Sequence, residues 1–157
     1  MDTIKIGLLG TSQLSFPGDK EGAFKRGAQG MEKLAKSLGF RLVVYPQTVI
    51  TREDAQQAVT FMEKEEIDFL LVQHTSYTSG FVSTVLAKVK ARIGYWAIPE
   101  GTKDGVVPFN SFCSVNMHMG IVAHYLRDYQ IKIKWFYGDV EDPGFVRRLS
   151  VTVRALT

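Results

Sequence analysis

Short apolar runs alternate along this chain with longer stretches of helical spacing. Thr3-Ile-Lys-Ile-Gly-Leu-Leu-Gly10 alternates and then turns fully apolar, as a strand entering a covered parallel sheet does. Within residues 19–38, Phe24, Met31, Leu34, Ala35 and Leu38 share one helix face, and Gly39 stands where a helix-ending glycine belongs. Phe40–Tyr45 is β-branched and aromatic and predicts a second strand. Thr51-Arg-Glu-Asp54 reads as a capping box, followed by Ala55, Ala58, Val59 and Met62 at helical intervals. Ile67–Val72 predicts a third strand, Val82, Val85, Leu86 and Val89 a third helix, and Ile93–Ile98 a fourth strand stopped by Pro99. A polar, glycine-containing loop runs to about Pro108. Residues 111–127 then carry Val115, Met119, Val122 and Leu126 at helical spacing. Ile131–Tyr137 predicts a fifth strand, and Asp142-Pro143 offers an N-cap followed by proline at the first helical position.

Five strands regularly alternating with helices predict an α/β fold with a parallel sheet and right-handed crossovers. The expected architecture is doubly wound and flavodoxin-like (Rossmann-like), strand order 2-1-3-4-5, with helices on both faces and residues 1–157 forming one domain. No internal repeat, low-complexity tract or interdomain linker interrupts the pattern. Phe145, Leu149 and Val153 carry a helical stripe almost to Thr157. Two readings of that stripe stand open: a terminal helix packed on the sheet, or a helix leading onward in a longer protein.

Composition narrows the class further. A hydrophobic fraction of 45% and a charged fraction of 22% are those of an ordinary globular domain, not of a disordered chain. No apolar run approaches the roughly 18 residues of a membrane helix, and no signal-peptide pattern opens the chain, so no membrane association is expected. The single cysteine, Cys113, forbids an internal disulfide and points to a reducing, cytoplasmic compartment. The net charge of +3 is dispersed, with no basic run longer than Arg147-Arg148, and nucleic acid is not an expected partner.

In this strand order a ligand is expected at the carboxyl ends of the strands, near the loops Gly10–Gly18 and Gln73–Gly80. Several uses of the fold fail on pattern. Gly7-x-x-Gly10 is not a dinucleotide fingerprint, and no phosphate-binding G-x-x-x-x-G-K-[ST] exists. Gln73 stands where a phosphoacceptor receiver needs aspartate. Thr11-Ser12-Gln13-Leu14-Ser15 matches a flavin-phosphate loop only loosely. His74, His118 and His124 show no metal-ligand spacing and read as packed or surface histidines, and Cys113 reads as a small buried residue at a helix start.

What remains is a polar and aromatic set at the strand ends: Gln13, Ser15, Phe16, Gln73, His74, Thr75, Tyr77, Trp96, Glu100, Asn110, Ser111 and Asn116. Amides and hydroxyls bind hydroxyl groups, and rings pack on the apolar face of a sugar. Ordinary helix capping by Thr78, Ser79 and Ser111 is the competing explanation for part of this polarity.

Phe16-Pro17, Trp96-Ala97-Ile98-Pro99-Glu100, Asn110-Ser111-Phe112-Cys113 and Trp135-Phe136-Tyr137-Gly138-Asp139 resemble segments of the N-terminal half of the L-fucose isomerase/L-arabinose isomerase family. The pair His74-Thr75 and Gln13 are similarly placed. The resemblance implies a cytoplasmic, metal-dependent ketol isomerase, usually with manganese, that forms homo-oligomers. It further implies that the metal ligands and acid/base carboxylates lie in a C-terminal half not represented in these 157 residues. On that reading the domain is not catalytic alone. Gln13, Phe16, His74, Tyr77, Trp96, Asn110, Ser111 and Asn116 would face a sugar substrate shared with a neighbouring subunit. The alternatives are a free-standing flavodoxin-like module for a small polar ligand or nucleotide, and an assembly domain without a site.

Overall fold

The computed structural model describes residues 3–157. Its elements run β1 (Lys5–Thr11), α1 (Lys20–Leu38), β2 (Arg41–Val49), α2 (Arg52–Lys64), β3 (Phe69–His74), α3 (Phe81–Leu86), β4 (Arg92–Ala97), α4 (Ser111–His124), a 3-10 turn (Arg127–Tyr129), β5 (Ile133–Tyr137) and α5 (Pro143–Leu156). All strand pairs are parallel and the sheet order is β2-β1-β3-β4-β5. The fold is a doubly wound α/β sheet with helices on both faces, as the alternation of patterns predicted.

Local chemistry sets the boundaries. Asp19 caps α1, its carboxylate accepting from Gly22 N, and Gly39 closes it with φ +76°. Thr51 and Asp54 form the capping box of α2, and the Asp142 carboxylate accepts from Gly144 N and Phe145 N ahead of α5. Other expectations are corrected. β2 continues past Tyr45 to Val49, passing Pro46 through an irregularity opposite Leu9. An edge strand tolerates proline there because no ladder bond is lost. Thr78, Ser79 and Ser111 are not N-caps. Gly80 and Asn110 precede α3 and α4, and neither makes a side-chain cap bond. Cys113 is exposed on α4, not buried.

Strand alternation splits the interior in two. Ile6, Leu8, Phe69, Leu71, Trp96 and Phe136 point towards α1 and α5, where Phe145, Leu149 and Val153 pack on them. Leu9, Leu70, Val72, Ile93 and Tyr95 point the other way, towards α2, α3 and α4. At the free edge of β5, Arg148 Nε donates to Trp135 O at 2.6 Å, and its guanidinium lies 4.5 Å over the Trp135 ring.

Candidate functional site

Gln73 and His74 end β3 side by side, and the alternation of the strand turns them to opposite faces. Gln73, 1% exposed, looks towards α1. Its Oε1 accepts from Thr75 Oγ1 at 3.1 Å, which fixes the amide and leaves Nε2 turned to the helix. A methyl group at Gly27 would overlap that amide, and one at Gly30 would overlap Val140. The two glycines therefore let the Gln73 amide, at the end of β3, and Val140, in the loop after β5, approach the helix backbone. Between α1 and the loops after β4 and β5 lies a cleft of about 720 Å³, within the range of small-molecule sites. Gln73 and Trp96 line it from the sheet, Arg26 and Lys33 from α1, and Glu100 and Asp139 from the loops.

Each wall is held by identifiable bonds. Trp96 Nε1 donates to Gly138 O at 2.8 Å, and its ring packs 4.7 Å from Phe145. The Glu100 carboxylate accepts from Phe109 N at 2.9 Å and from Ser111 N at 3.3 Å, tying the loop after β4 to the first turn of α4. Ser111 Oγ in turn accepts from Ile98 N at 2.9 Å and donates to the His74 carbonyl.

A second group of polar residues lies on the other face. His74, fully buried, places Nδ1 2.8 Å from Ser114 Oγ, which also accepts from Thr78 N at 2.9 Å. His118 Nε2 donates to Thr78 O at 3.0 Å, and its Nδ1 meets Ser83 Oγ, which lies 2.7 Å from Tyr95 Oη. Burial and the neighbouring His118 hold the His74 pKa well below the ordinary imidazole value, and burial lowers that of His118. Burial pushes the Tyr95 phenol up to about 12.

The residues expected to form one site are thus dispersed. Gln13, Phe16 and Tyr77 do meet, on a ledge between the loops after β1 and β3. Gln13 N donates to Ser76 Oγ at 2.9 Å, the Phe16 and Tyr77 rings stack at 5.8 Å, and Tyr77 Oη reaches Met117 Sδ at 2.9 Å. His74 and Ser111 are interior. Trp96 belongs to the opposite face, Asn110 sits in a left-handed turn at φ 54°, and Asn116 is exposed on α4. Gly27 and Gly30 were missed, and their signal was two glycines inside a predicted helix, where each costs about 1 kcal/mol unless close approach requires it. Among the described residues, no three His, Cys, Asp or Glu side chains come together to hold a metal ion. No helix among them is long and apolar enough to cross a membrane.

No family model matches the chain, and no curated protein matches it. Among solved structures, the lac repressor dimer bound to operator and the anti-inducer ONPF aligns with 87% of this chain and 55% of its own, at 15% identity and a TM-score of 0.47. A periplasmic solute-binding protein of an ABC transporter from Actinobacillus succinogenes 130z, with bound D-allose, aligns with 87% of this chain and 59% of its own, at 17% identity and a TM-score of 0.41. The chain thus spans little more than half the length of either. These findings overturn the resemblance to the fucose/arabinose isomerases: no family model matches, and the aligned structures are a repressor and a solute-binding protein. The segments that carried it have structural duties instead. Trp96 fills a core, Glu100 ties a loop, and Ser111 joins β3 to β4.

Proposed function

We propose that this domain binds a small, polar, hydroxyl-bearing ligand in the cleft between α1 and the loops after β4 and β5. The observation that carries the reading is Gln73, a deeply buried amide at the carboxyl end of a central strand, directed into a cleft of about 720 Å³. An amide there offers a donor to a ligand oxygen, and the Trp96 ring gives the cleft an apolar surface. Carboxylates of Glu100 and Asp139 and the cations of Arg26 and Lys33 supply further partners for hydroxyl groups. This is a binding reading, and no catalytic step is assigned. The lone exposed thiol of Cys113 suits a reducing, cytoplasmic setting.

The test is an amide and indole NMR titration of the 157-residue chain with neutral monosaccharides, D-allose and D-ribose first. Shifts are expected at Gly27, Gly30, the Trp96 indole and the Gln73 side-chain amide. Gln73→Met, which keeps length and removes the amide, should weaken binding about tenfold. Shifts confined to the ledge of Phe16 and Tyr77, or none at millimolar sugar, would overturn the reading.

A further inference from the structure

The polar cluster beneath α4 is an unusual filling for the centre of a sheet face. Three rings from three elements pack edge to face. His74 lies 4.6 Å from His118 and 5.0 Å from Tyr95, and Tyr95 lies 5.7 Å from His118. With His118 Nε2 donating to Thr78 O, the consistent chain runs from Tyr95 Oη to Ser83 Oγ to His118 Nδ1. A proton on Nδ1 would break that chain, because Ser83 would have to stop donating. On His74, Nε2 is buried and has no hydrogen-bond partner. A proton added to this ring would put a charge in a site with no acceptor for it. The titratable groups facing His74 are His118 from α4 and Tyr95 from β4. α3 contributes the Ser83 hydroxyl, the loop after β3 contributes Thr78, and β1 contributes Thr11, bonded to Thr78 at 2.7 Å. Among the described residues, no carboxylate or lysine is hydrogen-bonded to either histidine. Buried polar networks of this kind are stable when fully satisfied and costly when one member is disturbed.

The cluster is also connected to the cleft. The His74 carbonyl accepts from Ser111 Oγ, Ser111 N donates to Glu100, and Glu100 lines the cleft. α4 therefore carries His118, which packs on His74 of β3, on one turn and Ser111, an anchor of the cleft wall, on another.

We propose that the His74–His118 pair is an acid-sensitive latch that holds α4 on the sheet and, through Ser111 and Glu100, holds the wall of the cleft. In the closed state both rings are neutral. Opening exposes them to water, where an imidazole takes up a proton near pH 6.5. The open state then binds more protons than the closed one, so acid favours opening. Above pH 6.5 proton uptake adds no drive towards opening. Below it, the closed-to-open ratio falls about tenfold per pH unit for each histidine, and about a hundredfold for the pair, until the closed rings themselves titrate. The latch stands on the buried histidine cluster alone. Its effect on ligand rests on the binding reading above.

Native-state hydrogen exchange on the whole chain between pH 7.5 and 5.0, corrected for intrinsic rates, decides it. The amides of Val115–Val122 should lose protection by ten- to a hundredfold per pH unit below 6.5, more steeply than those of Phe145–Val153 in α5. Equal slopes in α4 and α5 would mean global acid unfolding and overturn the latch. His118→Gln, which can still donate to Thr78 O, should remove about tenfold per pH unit from the α4 slope. Should that variant fail to fold, His74→Phe makes the same prediction, because Ser114 Oγ keeps its bond from Thr78 N. An unchanged slope in a folded variant overturns the proposal. D-allose titrations at pH 7.5 and 5.5 add the ligand arm: weaker binding in acid supports the coupling. A cleft that takes no sugar at either pH refutes the binding reading and leaves the exchange slopes to decide the latch.

Discussion

Under α5, the Phe145 ring sits 4.7 Å from Trp96 and 5.8 Å from Phe136, and Leu149 and Val153 extend the same apolar seam. Under α4, comparable depth is occupied by His74, His118, Tyr95, Ser83 and Ser114. Both faces are buried, but they are closed by different physics. The α5 face is held by dispersion and by apolar area removed from water, which do not depend on pH and tolerate small adjustments. The α4 face adds to the apolar packing of Val115, Val122 and Leu126 a set of directed bonds, each of which leaves a stranded donor or acceptor if its partner goes. Equal burial thus hides unequal sensitivity: one face answers to volume, the other to protons and to single-atom changes.

The largest expected effect falls on the apolar face. Phe145→Ala should cost about 3–5 kcal/mol in denaturant unfolding, by a similar amount at pH 7.5 and pH 5.5. A loss below about 1 kcal/mol, or one that varied strongly with pH, would break the contrast. On the polar face, Ser114→Ala strands Thr78 N–H and His74 Nδ1 and should cost about 1–3 kcal/mol, although only one oxygen is removed. That loss should come with reduced protection of α4 in hydrogen exchange, and a neutral result would show that water repairs the network. The smallest effect belongs to a position on neither face. Gly39, at φ +76° with nothing near its Cβ position, should lose about 1 kcal/mol as Gly39→Ala, through backbone strain alone. Thermal unfolding of this variant gives the scale against which the two faces are compared.

Much of the fold was legible because a covered parallel sheet writes its strands as continuous apolar runs, as in Phe69-Leu-Leu-Val72, and because Thr51, Asp54, Asp142 and Pro143 carry their own capping chemistry. The extension of β2 was hidden by Pro46, which reads as a stop in any strand not known to lie at an edge. The site was harder. Gln73 and His74 look alike as polar strand-end residues, and nothing in their sequence neighbourhood tells which of them meets a ligand. Strand alternation sends His74 beneath α4 and leaves Gln73 for the cleft. Trp96 was grouped with Gln13 and Tyr77 although it points to the other face. Which polar groups share a space depends on which helix covers which face, and chain order alone does not state that. Cys113 shows the same limit: α4 is apolar around much of its circumference, and only packing decides that this thiol faces outward.

The two borders of the sheet have a consequence for behaviour at high concentration. An unpaired border is a template on which another molecule can add a strand, the first step towards fibrous aggregation. Here β2 presents Pro46, which has no N–H to offer and interrupts the row of donors. At the opposite border, Arg148 occupies the Trp135 carbonyl and covers the indole with a charged group. Neither side leaves an unbroken row of free peptide groups, so the domain is protected against growing its sheet into a neighbour even when crowded.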